Sequence, residues 1–292
     1  MTDCAQPDPH AGAESPRGRL LFVLALTAAF MVVEAVGGWL SGSLALLADA
    51  GHMLTDVAAI GLSLVTAILG ARPADASKTY GYRRLEILAA LVNGAALFGI
   101  AGWIIVEAFR RLGDPVPVRA GLMLGIAGVG LVVNLVALRV LHAAHAHNLN
   151  TRGAYLHILG DLLGSVAAIA AGAIIWLTGW TPVDPILSVG VALLLLVGAW
   201  RLVRESTDIL LEAVPRGVSM SDVERRMLEV PGVEAVHDLH VWTVGSGLVA
   251  MSGHAVVPDL ARHPAALEGI RDAMRGLRIG HVTIQLEVER GC

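Results

Sequence analysis

Two cysteines in 292 residues, Cys4 and Cys292 at opposite ends of the chain, leave no disulfide framework to hold a fold. Charge is also scarce. Asp, Glu, Lys and Arg make up 16% of the residues, against about 25% in an ordinary soluble domain. A basic excess is missing: the net charge of -4 and a pI near 6.2 give no reason to expect a nucleic-acid partner. No His-Glu-x-x-His occurs, the helix motif of a zinc protease in which the Glu serves as general base. The chain is therefore not read as an enzyme. No internal repeat appears beyond one pair of similar helices. Lys and Arg are absent from Leu20 to Ala71, and again from Gly153 to Trp200.

What is present is apolar. Hydrophobic residues are 55% of the chain and the mean hydropathy is +0.67, the composition of a membrane protein. Residues 1–18, rich in Pro, Gly, Ala and polar side chains, are expected to be a disordered tail. Six apolar stretches follow, each near the ~20 residues that cross a bilayer: about Arg19–Leu40, Leu44–Gly70, Leu85–Phe109, Ala120–Leu141, Gly153–Thr178 and Pro185–Leu202. The first is too long for a signal-peptide core and is read as a retained span. Asp184-Pro185 reads as an N-cap followed by Pro at the first helical position. Arg72, Lys78, Arg83, Arg84, Arg139, Arg152, Arg201 and Arg204 fall on one side of these spans with Arg17 and Arg19. Two of the three loops on the other side carry no Lys or Arg, and the third has Arg110, Arg111 and Arg119. This bias expects both termini in the cytoplasm. Residues 19–205 form the expected six-helix domain.

Residues 206–292 change character and hold a small α-β-β-α-β pattern. Helices are expected over Ser219–Leu228 and Pro264–Leu277, and strands over Ala235–Val244, Leu248–Val257 and His281–Glu289. Val282, Ile284, Leu286 and Val288 alternate with His281, Thr283, Gln285, Glu287 and Glu289. An open α+β layer with helices on one side of a sheet fits this order, and a core this small gains from dimerisation.

The polar residues inside the spans carry the function. Asp49, His52 and Asp56 lie within the second span at i, i+3 and i+7, on one helical face. His157 and Asp161 lie within the fifth at i and i+4. Glu34 adds a carboxylate in the first span. A carboxylate in mid-bilayer costs several kcal/mol, and no Lys or Arg in these stretches offsets it. The charge needs a proton or a cation from outside. Spans two and five run antiparallel, so His52, Asp56, His157 and Asp161 can supply two nitrogens and two oxygens, a tetrahedral set suited to Zn²⁺. Cd²⁺ favours thiolate, which no span contains, and Mg²⁺ or Ca²⁺ favours more oxygens. Metal requires neutral imidazole and ionised carboxylate, so loading displaces protons. Histidine, with a reference pKa of about 6.5, exchanges protons in the useful range. Metal–proton exchange by alternating access is the expected activity. Asp49 orients His52 or lines the outward path, a structural role being equally open; Glu34 is a path residue or packing polarity. After span four, His142, His145 and His147 form a weak metal-capturing group. A membrane metal sensor that does not transport is the alternative from another class.

The stretches GGWLSGSLALLADAGHMLTD, YGYRRLEILAALVNG, RGAYLHILGDLLGS and ILLEAVPRGV followed by VHDLHVW together resemble the cation diffusion facilitators, in their zinc, cadmium and cobalt efflux branch. The resemblance implies a homodimeric metal–proton antiporter of a bacterial inner membrane. Each subunit would have six spans and a cytoplasmic ferredoxin-like domain, with Zn²⁺, Cd²⁺ or Co²⁺ as cargo. It implies that His52, Asp56, His157 and Asp161 are the transport ligands. It implies a regulatory metal at His237, His254 and Glu287, with His240, His263 and His281 as weaker candidates, although Gln285 stands where one branch has a histidine. A charge interlock of that branch maps onto Arg84 and Glu212. The histidines of a further metal site do not carry over, because Lys78 and Tyr82 occupy those positions.

Overall fold

A computed structural model describes residues 16–70, 74–142, 149–245 and 247–289. Six helices come first: α1 (Pro16–Ser41), α2 (Leu44–Gly70), α3 (Leu85–Gly113), α4 (Ala120–His142), α5 (Leu149–Thr178) and α6 (Val183–Leu210). Each contains a stretch long and apolar enough to cross a membrane. After them come α7 (Met220–Leu228), β1 (Ala235–Gly245), β2 (Leu248–Val256), α8 (His263–Arg275) and β3 (His281–Glu287). The architecture is the expected one: a six-helix membrane protein with a small C-terminal α+β domain. One boundary moved substantially. Helix α6 runs to Leu210 rather than stopping near Leu202, because Arg201 to Thr207 end the apolar run without ending the helix.

By compactness the chain falls into two units. One comprises residues up to Ala58 together with Ala96–Gly198, and the other Ala59–Ala95 with Ala199–Cys292. In the first, α2 is the shared element. Leu44 and Ala48 on one of its faces pack with Ala101, Ile104 and Ala108 of α3 and Ala192 and Leu195 of α6. Ala45, Leu46 and Met53 turn instead to Phe30 of α1, Met123 and Ile126 of α4, and Ala171 and Ile175 of α5. The alanines on these faces let helix backbones approach closely, which is where packing energy between apolar helices comes from in lipid. The turn from α1 into α2 is made by Gly42 at φ +74°. A Cβ there would meet Pro117 O at 3.0 Å, so both conformation and space select glycine.

In the second unit the sheet order is β1-β2-β3, with β1–β2 antiparallel and β2–β3 parallel. The parallel pair is joined through α8, as a crossover requires. Val223 and Met227 of α7 and Ala266, Ile270 and Met274 of α8 pack on Val241, Met251 and Ala255 of the sheet. Val282, Ile284 and Leu286 of β3 join that core, while His281, Thr283 and Gln285 point to solvent, as the alternation in sequence requires. Ser219 caps α7, its hydroxyl accepting from the amide of Asp222.

The loop between α2 and α3 belongs to this unit and is organised by Asp75. Its carboxylate accepts from the amides of Ser77 (2.7 Å) and Lys78 (2.8 Å), the Ser77 hydroxyl (2.6 Å) and the Tyr82 hydroxyl (3.0 Å). These bonds, with that from the Ser77 hydroxyl largest, hold the carboxyl well below the usual carboxylate range. Lys78 Nζ sits 5.0 Å over the Tyr82 ring. The residues that replace histidines in this loop therefore form a turn closed by a protein carboxylate.

Candidate metal centres

Helix periodicity places His52 and Asp56 one turn apart on α2, and His52 Nδ1 lies 3.4 Å from Asp56 Oδ2. Both side chains are about one-third exposed, while the facing atoms, His52 Nδ1 and Asp56 Oδ2, are themselves buried. On α5, Asp161 is 5% exposed. The α5 backbone carries His157 one turn before it, but the His157 side chain lies outside the described residues. The structure thus brings together the α2 pair and describes the other half at Asp161 alone. Around this half the α4–α5 seam is polar: Asn134 Nδ2 donates to Ser165 Oγ at 3.2 Å, and both residues are buried.

Asp49, for which the sequence left an aid to His52, a lining of the outward path and a structural role equally open, faces α5. Its carboxylate oxygens lie 3.9 and 4.0 Å from where a Cβ on Gly164 would stand. It therefore rests on α5, one turn beyond Asp161. Glu34 of α1, only 2% exposed, brings its carboxyl group into hydrogen-bonding contact with Asp49. Three helices thus contribute acids to one neighbourhood, which spacing on α2 alone does not reveal.

The cytoplasmic-type candidates converge. Strand pairing sets His237 of β1 directly opposite His254 of β2, and Val256 of β2 opposite Glu287 of β3. All three candidates are on the sheet face away from the helices, since Val236, Ala255 and Leu286 beside them take the core face. The ring centroids of the two histidines are 5.0 Å apart. His237 Nε2 lies 3.0 Å from Glu287 Oε2, and His254 Nδ1 lies 2.9 Å from Glu287 Oε1. One ligand atom from each falls within 4.8 Å of the others, and among the described residues this is the one such group of three. The buried Nδ1 of His254 is close to the carboxylate yet not aligned for a hydrogen bond with it. Two imidazoles and a carboxylate converging in this way fit a divalent ion with nitrogen and oxygen preference.

Its surroundings fix the rings. β1 bulges between His237 and His240, and Asp238 in the bulge adopts φ +51°. Asp238 Oδ1 is 2.8 Å from His240 Nε2, and Oδ2 is 3.9 Å from His254 Nε2. The hydrogen bond to His240 is the main cause that holds the Asp238 carboxyl below its usual range; desolvation opposes it, and the neighbouring imidazoles add to the lowering. Gln285 Nε2 donates to Glu287 Oε1 at 2.8 Å, so the residue that replaces a histidine orients the carboxylate. The weaker candidates are otherwise engaged. His263 bonds to Val257 O at 2.8 Å, His281 makes an edge contact with Tyr80, and His240 is held by Asp238. His142 closes α4 with its side chain outside the described residues. His145, His147 and Cys292 lie outside them altogether. Arg84 Nη2 and Glu212 Oε1 are 2.8 Å apart, both side chains well exposed.

Sequence reasoning missed Asp184. Read as the cap of its own helix, it instead caps α2. Its Oδ1 accepts from Ser43 Oγ at 2.6 Å, and its Oδ2 from the Leu44 amide at 2.7 Å. Nothing local marks a cap whose helix begins 140 residues earlier.

Comparison with known proteins identifies the family. The transmembrane domain of cation efflux proteins matches residues 20–211. The chain belongs to the cation efflux family. The cytoplasmic domain of cation efflux proteins matches residues 215–289, a second, independent stretch. Relatives extend over nearly the whole chain. Zinc transporter ZitB of Escherichia coli (strain K12) is 47% identical over 283 residues, 96% of this chain and 90% of its own length. Metal cation efflux system protein CzcD of Cupriavidus metallidurans is 42% identical over 92% of this chain and 86% of its own. The cadmium, cobalt and zinc/H(+)-K(+) antiporter of Bacillus subtilis (strain 168) is 42% identical over 92% and 88%. As a cation efflux family member this chain is a multi-pass membrane protein and not an enzyme.

Proposed function

We propose that this protein exports Zn²⁺ from the cytoplasm across a bacterial inner membrane in exchange for protons, with both termini cytoplasmic. The ligands of the transported ion are His52 and Asp56 of α2 and His157 and Asp161 of α5. One observation carries the reading. Asp161 is buried in a span that has neither Lys nor Arg, while α2, equally without them, presents His52 and Asp56 within 3.4 Å of each other. Acid that deep is neutralised by a proton or by cargo, and two aspartates match one divalent charge. Binding requires the ligands to give up protons, so uptake of one species releases the other. Asp49 and Glu34, in contact with each other beside Asp161, extend the acid neighbourhood through which protons leave. Cd²⁺ or Co²⁺ as cargo is the second reading, favoured by the name of the Bacillus relative.

His237, His254 and Glu287 hold a regulatory Zn²⁺ in a domain that dimerises, and Arg84 with Glu212 braces the junction after α6. Residues 19–205 form the transport domain and 206–292 the regulatory one. Calorimetric Zn²⁺ titration in two buffers of different ionisation enthalpy tests the site, in protein carrying His237→Ala and His254→Ala. Binding with proton release that disappears on Asp161→Ala is expected. Unchanged binding and proton release in that variant would remove these residues from the site.

A further inference from the structure

The carboxylate of Asp184 is wholly buried where α2 and α6 begin. Beside the bonds from Ser43 Oγ and the Leu44 amide, Oδ1 accepts from the Ala45 amide at 3.2 Å. Ser43 Oγ accepts in turn from the Leu46 amide at 3.3 Å. The first amides of a helix have no partner within it, and here a side chain of α6 and the serine it holds supply them. An anion at this position also meets the positive end of the helix dipole. The joint reaches α3 as well. Arg111 Nε donates to Glu107 Oε1 at 2.9 Å, Nη1 donates to Gly42 O, and Nη1 lies 4.0 Å from Asp184 Oδ2. The Arg119 amide donates to Ser41 O at 2.8 Å.

We infer that Asp184 is a positioning residue for transport, the fixed pivot that keeps the start of α2 on α6 through the whole cycle. The inference rests on the reading of His52 and Asp56 as ligands. Parting α2 from α6 would strand a buried carboxylate and unpaired donors together, the costliest arrangement for polar groups in an apolar interior. Movement of α2 is therefore confined to tilting about its first turn. Asp56 stands about 18 Å along the helix from Leu44, so a tilt of about 10° displaces it by roughly 3 Å. That displacement is enough to break a metal–ligand bond, while nearer the pivot the faces packed on α3 and α6 stay in register.

The test uses the full-length protein in proteoliposomes. Asp184→Ala slows Zn²⁺ flux by about tenfold or more per folded dimer while equilibrium binding at the transport site stays within about twofold. Asp184→Asn, which keeps one acceptor oxygen, is intermediate. The pair Ser43→Cys and Asp184→Cys is slow when reduced and recovers when oxidised, because a disulfide replaces the joint. A pair that transports when reduced and stops when oxidised shows an end that must open, and overturns the pivot. Full activity in Asp184→Ala overturns it, as does inactivity of the folded, zinc-binding pair in both redox states. If Asp161→Ala keeps binding and flux, the ligand reading fails instead, a result separate from any of these.

Discussion

His237 and His254 face each other across the β1–β2 pair with Glu287 reaching both, at 3.0 Å and 2.9 Å. Neither histidine makes a site alone. The parallel pairing of β3 delivers the carboxylate between them, so the centre depends on the register of three strands. His254→Ala in the full-length protein should lower Zn²⁺ affinity by more than the 10- to 100-fold typical of losing a partner that merely orients a ligand. Equilibrium dialysis in an Asp161→Ala background should then show about one fewer tightly bound ion per chain. Unchanged stoichiometry would exclude the centre.

Arg84 and Glu212 meet at 2.8 Å but are 41% and 56% exposed, so solvent screens most of the attraction. A double-mutant cycle on thermal stability should give a coupling of about 0.2–1 kcal/mol. If the pair braces the junction, exchanging the two charges restores flux that either single reversal lowers. A swap that rescues nothing speaks against the brace.

The Asp75 turn makes a pH prediction. Its carboxyl is held below the ordinary range when folded, so its contribution is complete above the ordinary value of about 3.9 and is lost only as pH falls through the lower folded value. Hydrogen exchange at the Ser77 and Lys78 amides, corrected for intrinsic rate, should be level from about pH 8 to about pH 5. Asp75→Asn should speed it at every pH in that range. Loss of protection already near neutrality in the native chain would contradict this account.

Ile270 of α8 is fully buried in the core of the C-terminal domain. Ile270→Ala should destabilise that domain by about 2–5 kcal/mol, the cost of removing buried methylenes and leaving a cavity. Thermal unfolding followed in the domain's own signal checks it, and a shift within error would mean the helix is not packed as described.

The six spans and the α-β-β-α-β order were legible because bilayer thickness and side-chain period write directly into hydropathy. The end of α6 was not, since a helix outlasts its apolar run once it leaves the lipid. Asp56 one turn from His52 followed from spacing. Asp49 did not: its contact with Gly164 depends on how α2 and α5 pack, which no local pattern encodes. The same holds for Asp184, whose neighbours in sequence suggest a cap for the wrong helix. His237 and Glu287, fifty residues apart, became a pair only through family resemblance and then through strand register. The bulge at Asp238 puts His240 on the same sheet face as His237, a placement that strict alternation along β1 would have reversed.

The central claim is that buried, unoffset carboxylates in the spans carry a metal against protons. Zn²⁺ flux into proteoliposomes under an imposed pH gradient, comparing the native chain with Asp161→Ala, tests it most directly. The account predicts gradient-driven flux in the native protein and flux at the level of empty liposomes in the variant. Equal flux in the two, or native flux indifferent to the gradient, would contradict it.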